Sequence, residues 1–337
     1  ALSGGVDSSV CVHLMKEQGH DVTGLVLHLS PAHNSTVEAA QAAADAMGIP
    51  LIVAQEEEWF QREVVTPWAE AYRRGQTPNP CILCNPSTKF ALLCREAKAR
   101  GFDTIVTGHY AGIEEREGRY LLKKAKFLPR DQSYMLYRLS QEQLSMLCLP
   151  LEGMAKDQVR AIAAQAGLPC ASAPDSQEIC FIPDHDYAKY IRENTDAELP
   201  PGNFVDLDGN ILGKHLGITH YTVGQRKGLN LAMGHPVFVT GIRPETNEVV
   251  IGEGNDVFSD HLICRDVNWM AIDGLHGEER EVLAKIRYSH KGSPCIIREL
   301  PDGTVECQFK EPQRAITPGQ AVVLYEDGYV LGGGTII

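Results

Sequence analysis

Apolar positions Val10, Cys11, Leu14 and Met15 recur at helical spacing and stop at Gly19, which predicts a helix directly after a glycine-rich opening. Val22 to Leu29 reads as a buried strand. Ser35-Thr36-Val37-Glu38 has capping-box spacing and predicts the start of an alanine-rich helix that Gly48 and Pro50 end, with Leu51-Ile52-Val53 as the next strand. Asn85 and Pro86 predict the start of a helix carrying Phe90, Leu93 and Ala97 and closed by Gly101; the strand Thr104-Ile105-Val106 follows. One helical stretch is predicted from Gln141 to Ala166. This alternation predicts a parallel sheet with helices on both faces. A glycine loop of this kind joins a strand to a helix N-terminus, so a strand is expected before Ser3. After Leu199-Pro200-Pro201-Gly202 the pattern changes to short alternating strands split by turns such as Pro301-Asp302-Gly303 and Glu326-Asp327-Gly328, which favours one or two small barrels.

Composition narrows the class. The chain has 337 residues, more than one hydrophobic core usually organises, so several domains are expected. No apolar run approaches the roughly 18 residues of a membrane helix, and no membrane association is expected. The ten cysteines are spread thinly through an acidic chain, which points to a reduced cytoplasmic location rather than a disulfide scaffold. A net charge of -13 argues against a general nucleic-acid coat. Two basic islands stand against that total. Arg119, Lys123, Lys124, Lys126 and Arg130 form one; Lys214, Arg226, Lys227 and Arg243 form the other, in a stretch from Gly209 to Pro244 that has no Asp or Glu. Either island alone reads as solvated surface, and the two together suggest a polyanionic partner.

The chemistry is concentrated in three segments. In Ser3-Gly4-Gly5-Val6-Asp7-Ser8-Ser9 the glycines let backbone N–H groups approach an anion, Ser3, Ser8 and Ser9 add hydroxyl donors, and the following helix turns its positive end inward. The loop lacks the lysine of a Walker motif, so it suits pyrophosphate release from ATP rather than terminal phosphoryl transfer. In Thr77-Pro78-Asn79-Pro80-Cys81-Ile82-Leu83-Cys84-Asn85 the prolines stiffen a loop expected to deliver Cys84 to a helix N-terminus, where the dipole lowers a thiol pKa. Half of a zinc site is the alternative, but the chain has no second Cys-x-x-Cys. Cys180 follows the polar run Asp175-Ser176-Gln177-Glu178, which suits a loop near solvent. Cys94, Cys148, Cys264, Cys295 and Cys307 read as buried structural thiols.

With these three segments in this order, the chain resembles the tRNA-specific 2-thiouridylases of the PP-loop ATPase superfamily. The likeness extends through Thr107-Gly108-His109-Tyr110, Arg130-Asp131-Gln132-Ser133-Tyr134, Gly224-Gln225-Arg226-Lys227-Gly228-Leu229, Lys285-Ile286-Arg287-Tyr288 and Pro312 to Gln320. It implies an α/β fold: a Rossmann-like PP-loop domain of the adenine nucleotide alpha hydrolase kind at 1–195, a small central tRNA-binding domain at 196–256 and a C-terminal β-barrel at 257–337. It implies a sulfurtransferase that adenylates the 2-oxygen of the wobble uridine, releases pyrophosphate, then replaces AMP with sulfur. ATP, with Mg²⁺, would lie on Ala1, Leu2, Ser3, Gly4, Gly5, Val6, Asp7 and Ser8, with Leu27 and Gly108 beside the adenosine. Cys180 would carry the sulfur as a persulfide, and Cys84 would be the nucleophile that resolves it into a Cys84–Cys180 disulfide. Asn79, Pro80 and Cys81 would meet the target base, while His109, Arg130, Asp131, Gln132, Arg287, Tyr288 and Gln320 would contact tRNA. A cysteine desulfurase or a persulfide-donating relay protein would supply sulfur to a monomeric enzyme.

This chain departs from the family at three places. Many members carry Asp at the position of Cys81, which leaves open a second mechanism in which Cys81, Cys84 and Cys180 hold an iron-sulfur cluster. Leu27 stands where Met is usual, and the segment from Ser30 to Ser35 is short. Two other classes compete: the amide-forming PP-loop ligases, which need no thiol pair, and an RNA-binding module that merely retains the loop.

Overall fold

The computed structural model describes residues 1–174, 179–182, 184, 186–195 and 200–337. The chain forms two compact units, one of Ala1–Val64, Cys81–His185 and Asp327–Val330, the other of Val65–Pro80, Asp186–Glu326 and Leu331–Ile337.

The first unit is built on parallel strands. β1 (Gly24–His28) pairs in register with β2 (Leu51–Gln55), and β3 (Ile105–Val106) pairs with β6 (Leu147–Cys148). The opening residues join the two pairs: the Leu2 amide donates to Leu25 O at 2.8 Å, and the Ala1 nitrogen donates to Val106 O at 2.7 Å. Between β3 and β6 lies an antiparallel hairpin, β4 (Ala111–Arg116) and β5 (Arg119–Lys124). Its two-residue turn, Glu117-Gly118, has both φ values positive (52° and 76°), the geometry that matches strand twist.

The helix Val6–Glu17 is buried on most sides, as its run of Val, Cys and Met residues requires. Val10 and Cys11 pack with Val159 and Ala163 of the helix Lys156–Gln165, while Val12 packs with Leu2, Val26 and Ala40, the last from the helix Asn34–Met47. Gly4 makes this packing achievable. It has φ of +74°, and a Cβ there would stand 2.3 Å from the Ala39 carbonyl carbon.

Three local expectations are corrected. No capping box forms at Ser35, because the helix already begins at Asn34 after His33 and has no side-chain cap. The stretch from Gln141 to Ala166 is not one helix: Gln141–Ser145 ends before β6, and Lys156–Gln165 begins after Pro150 and Gly153 have broken the path. Nor does a helix begin at Asn85. Pro80–Cys84 is already helical, a wider π turn spans Asn85–Lys89, and Phe90–Arg100 continues to Gly101 in the left-handed conformation.

In the second unit, β7 (Gly202–Val205), β8 (Ile211–His215), β9 (Phe238–Arg243) and β10 (Glu248–Gly252) form a sheet in the order β8-β7-β10-β9, over a core of Phe204, Tyr221, Val239, Val249 and Ile251. The remaining strands are β11 (Phe258–Trp269), β12 (Arg280–Lys285), β13 (Ser293–Glu299), β14 (Val305–Arg314), β15 (Ala321–Glu326) and β16 (Tyr329–Ile336). They run β11-β14-β13-β12-β15-β16, and the β11–β16 pairing closes a six-stranded barrel. Cys264, Cys295 and Cys307 lie wholly inside it, as expected of structural thiols.

The glycine geometry yields a paired test. Gly4→Ala meets backbone and is expected to lower unfolding free energy by roughly 2–4 kcal/mol. Gly48→Ala has nothing within 4 Å of the new methyl and is expected to cost about 1 kcal/mol, from its positive φ alone. Urea midpoints of the two variants check the ordering.

Candidate active site

The glycine-serine loop sits where open parallel sheets bind ligands, at the carboxyl ends of the strands. Ser3 and Ser8 tie it shut. Their hydroxyls are 3.1 Å apart, the Ser3 amide donates to Ser8 Oγ at 3.2 Å, and Ser8 Oγ donates to Gly5 O at 3.1 Å. Gly5 is the N-cap and no side chain caps the helix, so the first N–H groups of Val6–Glu17 are left to an anion. Ser9 does not join them. It is 0% exposed and its hydroxyl has no hydrogen-bond partner among the described residues, which corrects its reading as a donor to the ligand.

Asp7 is held from two sides. Lys156 Nζ reaches its carboxylate oxygens at 2.7 and 2.8 Å, and Tyr110 Oη donates to Oδ1 at 2.7 Å. Lys156 was not singled out from the sequence, and Tyr110 was named there only as the end of the Thr107-Gly108-His109-Tyr110 segment without a role, since both belong to elements remote in the chain from Asp7. Gly108 lies directly against this turn: a Cβ on it would fall 2.9 Å from Asp7 Cβ and 3.0 Å from Ser8 N. Leu27 is half-buried near the carboxyl end of β1, paired with Ala54.

The second half of the site is a group of thiols. The π turn places Lys89 over Cys84, and the Lys89 backbone N–H bonds to the Cys84 sulfur. Burial pushes the Cys84 thiol up to about 11, and it also raises Cys81; the Lys89 charge opposes both shifts. Cys180 is exposed as a residue, yet the protein around its sulfur desolvates it and the Cys84 and Cys81 sulfurs repel its charge, so its thiol is pushed up to about 12, again opposed by Lys89. The expected dipole activation of Cys84 is therefore overturned. Cys84 ends the first helical turn instead of starting a helix, and desolvation exceeds any gain from the dipole.

His109 stands within electrostatic reach of both halves. Burial, then Lys89 and the Ala1 ammonium, hold its imidazole down to about 3, so it is neutral, with Nδ1 2.9 Å from Thr107 Oγ1. All ten cysteines are free, and the described residues contain no group of three or more His, Cys, Asp or Glu placed to hold a metal ion. Cys81, Cys84 and Cys180 are neighbours, each sulfur within electrostatic reach of the other two or of Lys89.

The residues expected at tRNA take varied positions. Asp131 is buried and accepts from the Ala125 amide at 3.0 Å and from Ser133 N and Oγ at 3.2 and 2.9 Å. Gln132 accepts from the Tyr110 amide at 2.9 Å. Both shape the segment that presents Arg130. In the second unit, Gln320 Nε2 donates to Thr77 O, the Thr77 amide donates to Pro318 O at 2.9 Å and Thr77 Oγ1 donates to Thr222 Oγ1 at 3.3 Å, which fixes the approach to Asn79 and Pro80. Arg287 Nη1 donates to Arg314 O at 2.9 Å, and Tyr288 is exposed with Lys285 Nζ 5.9 Å from its ring centre. Asp175, Ser176, Gln177 and Glu178, used to read Cys180 as a loop residue, lie outside the described residues. The first basic island is partly neutralised, because Lys123 pairs with Glu152 at 3.0 Å and Glu114 at 3.8 Å.

An uncapped helix start behind a glycine-serine loop, on a parallel sheet followed by barrels, defines a nucleotide-using enzyme of the PP-loop class. Three family models match in the same order: the tRNA methyl transferase HUP domain over residues 1–184, the tRNA methyl transferase PRC-barrel domain over 188–253 and the aminomethyltransferase beta-barrel domain over 259–336. Full-length relatives named tRNA-specific 2-thiouridylase MnmA are similar throughout. That of Lachnoclostridium phytofermentans is 48% identical, covering 100% of this chain and 98% of the relative. Those of Acetivibrio thermocellus and Clostridium perfringens are 47% and 46% identical, each covering 99% of this chain and 97% and 96% of the relatives. The chain belongs to the tRNA-specific 2-thiouridylase family.

The thiol electrostatics predict a pH profile. Alkylation of Cys180, followed by peptide mass spectrometry, is expected to climb through pH 10 without a plateau, because its thiol titrates near 12. Lys89→Met removes a cation that favours thiolate, so the profile moves to higher pH. An unchanged profile would show that Lys89 does not act on the sulfurs.

Proposed function

We propose that this enzyme thiolates the 2-position of the wobble uridine in tRNA, using ATP and releasing AMP and pyrophosphate. The observation that carries this reading is that Cys84, Cys180 and Cys81 all feel the Lys89 charge, with neutral His109 within electrostatic reach of both Lys89 and the Ala1 ammonium at the anion-binding loop. The loop N–H groups and the helix N-terminus would hold the ATP phosphates. Mg²⁺ would enter with those phosphates, since the described residues form no metal cage of their own and Asp7 is engaged by Lys156 and Tyr110. The uridine 2-oxygen attacks the α-phosphorus, pyrophosphate departs, and AMP becomes the leaving group on C2.

The two thiols divide the sulfur step by exposure. Cys180 is the exposed one and receives sulfur from a persulfide-bearing donor protein or desulfurase; Cys84 is buried and resolves. The terminal sulfur of the Cys180 persulfide forms the bond to C2 as AMP leaves with the C2–O bond pair. Cys84 sulfur attacks Cys180 Sγ, the S–S bond to the terminal sulfur breaks, and that sulfur keeps the pair. The two protons go to AMP and the thiouracil ring, and a Cys84–Cys180 disulfide remains for a thiol reductant to reset. The persulfide route uses the difference in exposure between Cys180 and Cys84, and the cluster route would use Cys81 with both; the Cys81 variant below separates them. Amide ligation, and the methyl transfer in the family-model descriptions, call for no such thiol pair.

Asn79, Pro80 and Cys81 are proposed to meet the target base, and Arg130, His109, Arg287, Tyr288 and Gln320 to act toward tRNA. Some act directly, and Gln320 acts through Thr77.

Two outcomes are expected. Cys180→Ser and Cys84→Ser retain tRNA-dependent pyrophosphate release while 2-thiouridine disappears from nucleoside mass spectra; retained 2-thiouridine in both would show that neither thiol carries the sulfur, and wild-type protein that splits ATP without ever forming 2-thiouridine would favour a ligase-type enzyme. Cys81→Asp, which installs the residue common in the family, keeps thiolation within roughly tenfold, about 1.4 kcal/mol of barrier. Loss to background, accompanied by loss of stoichiometric iron from anaerobic protein, would install the cluster mechanism.

A further inference from the structure

The second basic island contains a concavity that the proposed thiolation does not use. Arg226 and the loop from Gly228 to Val237 line an open concavity of about 480 Å³, with Arg226, Asn230 and His235 among its polar lining and Leu229, Leu231 and Met233 among its apolar lining. Leu229 belongs to the core of the β7–β10 module, with Leu231 and Met233 packed against that core, so the apolar wall has a firm backing. Arg226 and Lys227 are exposed, and neither side chain has an ion pair or hydrogen-bond partner among the described residues. No Asp or Glu occurs from Gly209 to Pro244. One carboxylate stands at one end: Glu253, 3.8 Å from His235 Nε2 and itself 77% exposed.

A 480 Å³ pocket accepts a ligand of nucleotide size. Its apolar wall suits the face of a nucleobase, and the unpaired Arg226 in its lining, with Lys227 next to it in the chain, suits the attached phosphates. The chain as a whole repels polyanions and Lys123 of the first island is paired with carboxylates, so an acid-free edge with unpaired cations is a favourable place for a phosphate chain to dock. We infer that this pocket holds one unpaired nucleotide of the tRNA, distinct from the target uridine, with Arg226 and Lys227 on its flanking phosphates. The inference rests on the tRNA reading above.

Binding of unmodified tRNA, measured by filter retention across a potassium chloride series, tests it. The Arg226→Ala/Lys227→Ala double variant is expected to bind roughly tenfold more weakly at 0.15 M salt, with a log–log salt slope shallower by about 1.4 to 1.8. Arg226→Lys/Lys227→Arg is expected to restore the slope, which separates charge from misfolding. Leu231→Ala/Met233→Ala is expected to lower affinity severalfold while leaving the slope unchanged, because it removes contact with the base and no charge. Wild-type affinity and slope in the charge-free variant, or wild-type affinity in the Leu231/Met233 variant, would overturn the pocket while leaving thiolation by the wild-type enzyme intact. A wild-type protein that neither binds nor thiolates tRNA would remove the functional reading and the pocket with it.

Discussion

Burial of sulfur is the constraint on which this site depends. Taking a thiol out of water disfavours its charged form, so Cys84 and Cys180 rest as neutral thiols with pKa near 11 and 12, and every further influence acts on that starting point. Neutral thiols resist adventitious oxidation, which an enzyme with a vicinal reactive pair needs between turnovers. One cation is common to the three sulfurs. Lys89 reaches them because the helical run from Pro80 widens by one residue into a π turn, and the same turn lets its backbone N–H bond to Cys84. Burial, with the Lys89 charge added to it, keeps His109 neutral, so the ring beside the phosphate loop adds no positive charge of its own.

The nucleotide half answers to a different constraint, close backbone approach. Gly4 lies against Ala39 and Gly108 against Asp7 and Ser8, so the loop, the second helix and the end of β3 meet with no room for a side chain. Their meeting presents bare N–H groups at the head of a buried helix. Asp7 is held outward from that turn by Lys156 and Tyr110, which sets the charge at the loop's edge before any nucleotide arrives. Activation of the uridine oxygen and delivery of sulfur are then separate tasks assigned to separate elements.

Much of this was legible in the sequence because the signals are local. The run from Ser3 to Ser9 determines its own geometry, Gly48 and Gly101 end helices in the left-handed conformation, and alternating residues after Pro200 form barrel strands. The missed features are those that depend on partners far along the chain. Lys156 meets Asp7 across 149 positions, and Gln320 meets Thr77 across 243. The activation expected at Cys84 failed for a local reason as well: Pro80 suits a first helical position, and reading Asn85-Pro86 as the start instead moved the thiol to the wrong end of the dipole. The hairpin turn Glu117-Gly118 carries a legible signal, a glycine between alternating residues, that the stronger helix-strand pattern around it obscured.

The central claim, that sulfur passes from Cys180 while Cys84 resolves, is tested most directly by a single turnover. Enzyme loaded with persulfide at Cys180 would be mixed with ATP and unmodified tRNA, quenched in acid, and assayed in parallel for 2-thiouridine and for the Cys84–Cys180 disulfide by peptide mass spectrometry. The account predicts that the two appear together in a one-to-one ratio, at the same rate. Formation of 2-thiouridine with both thiols still reduced would contradict it.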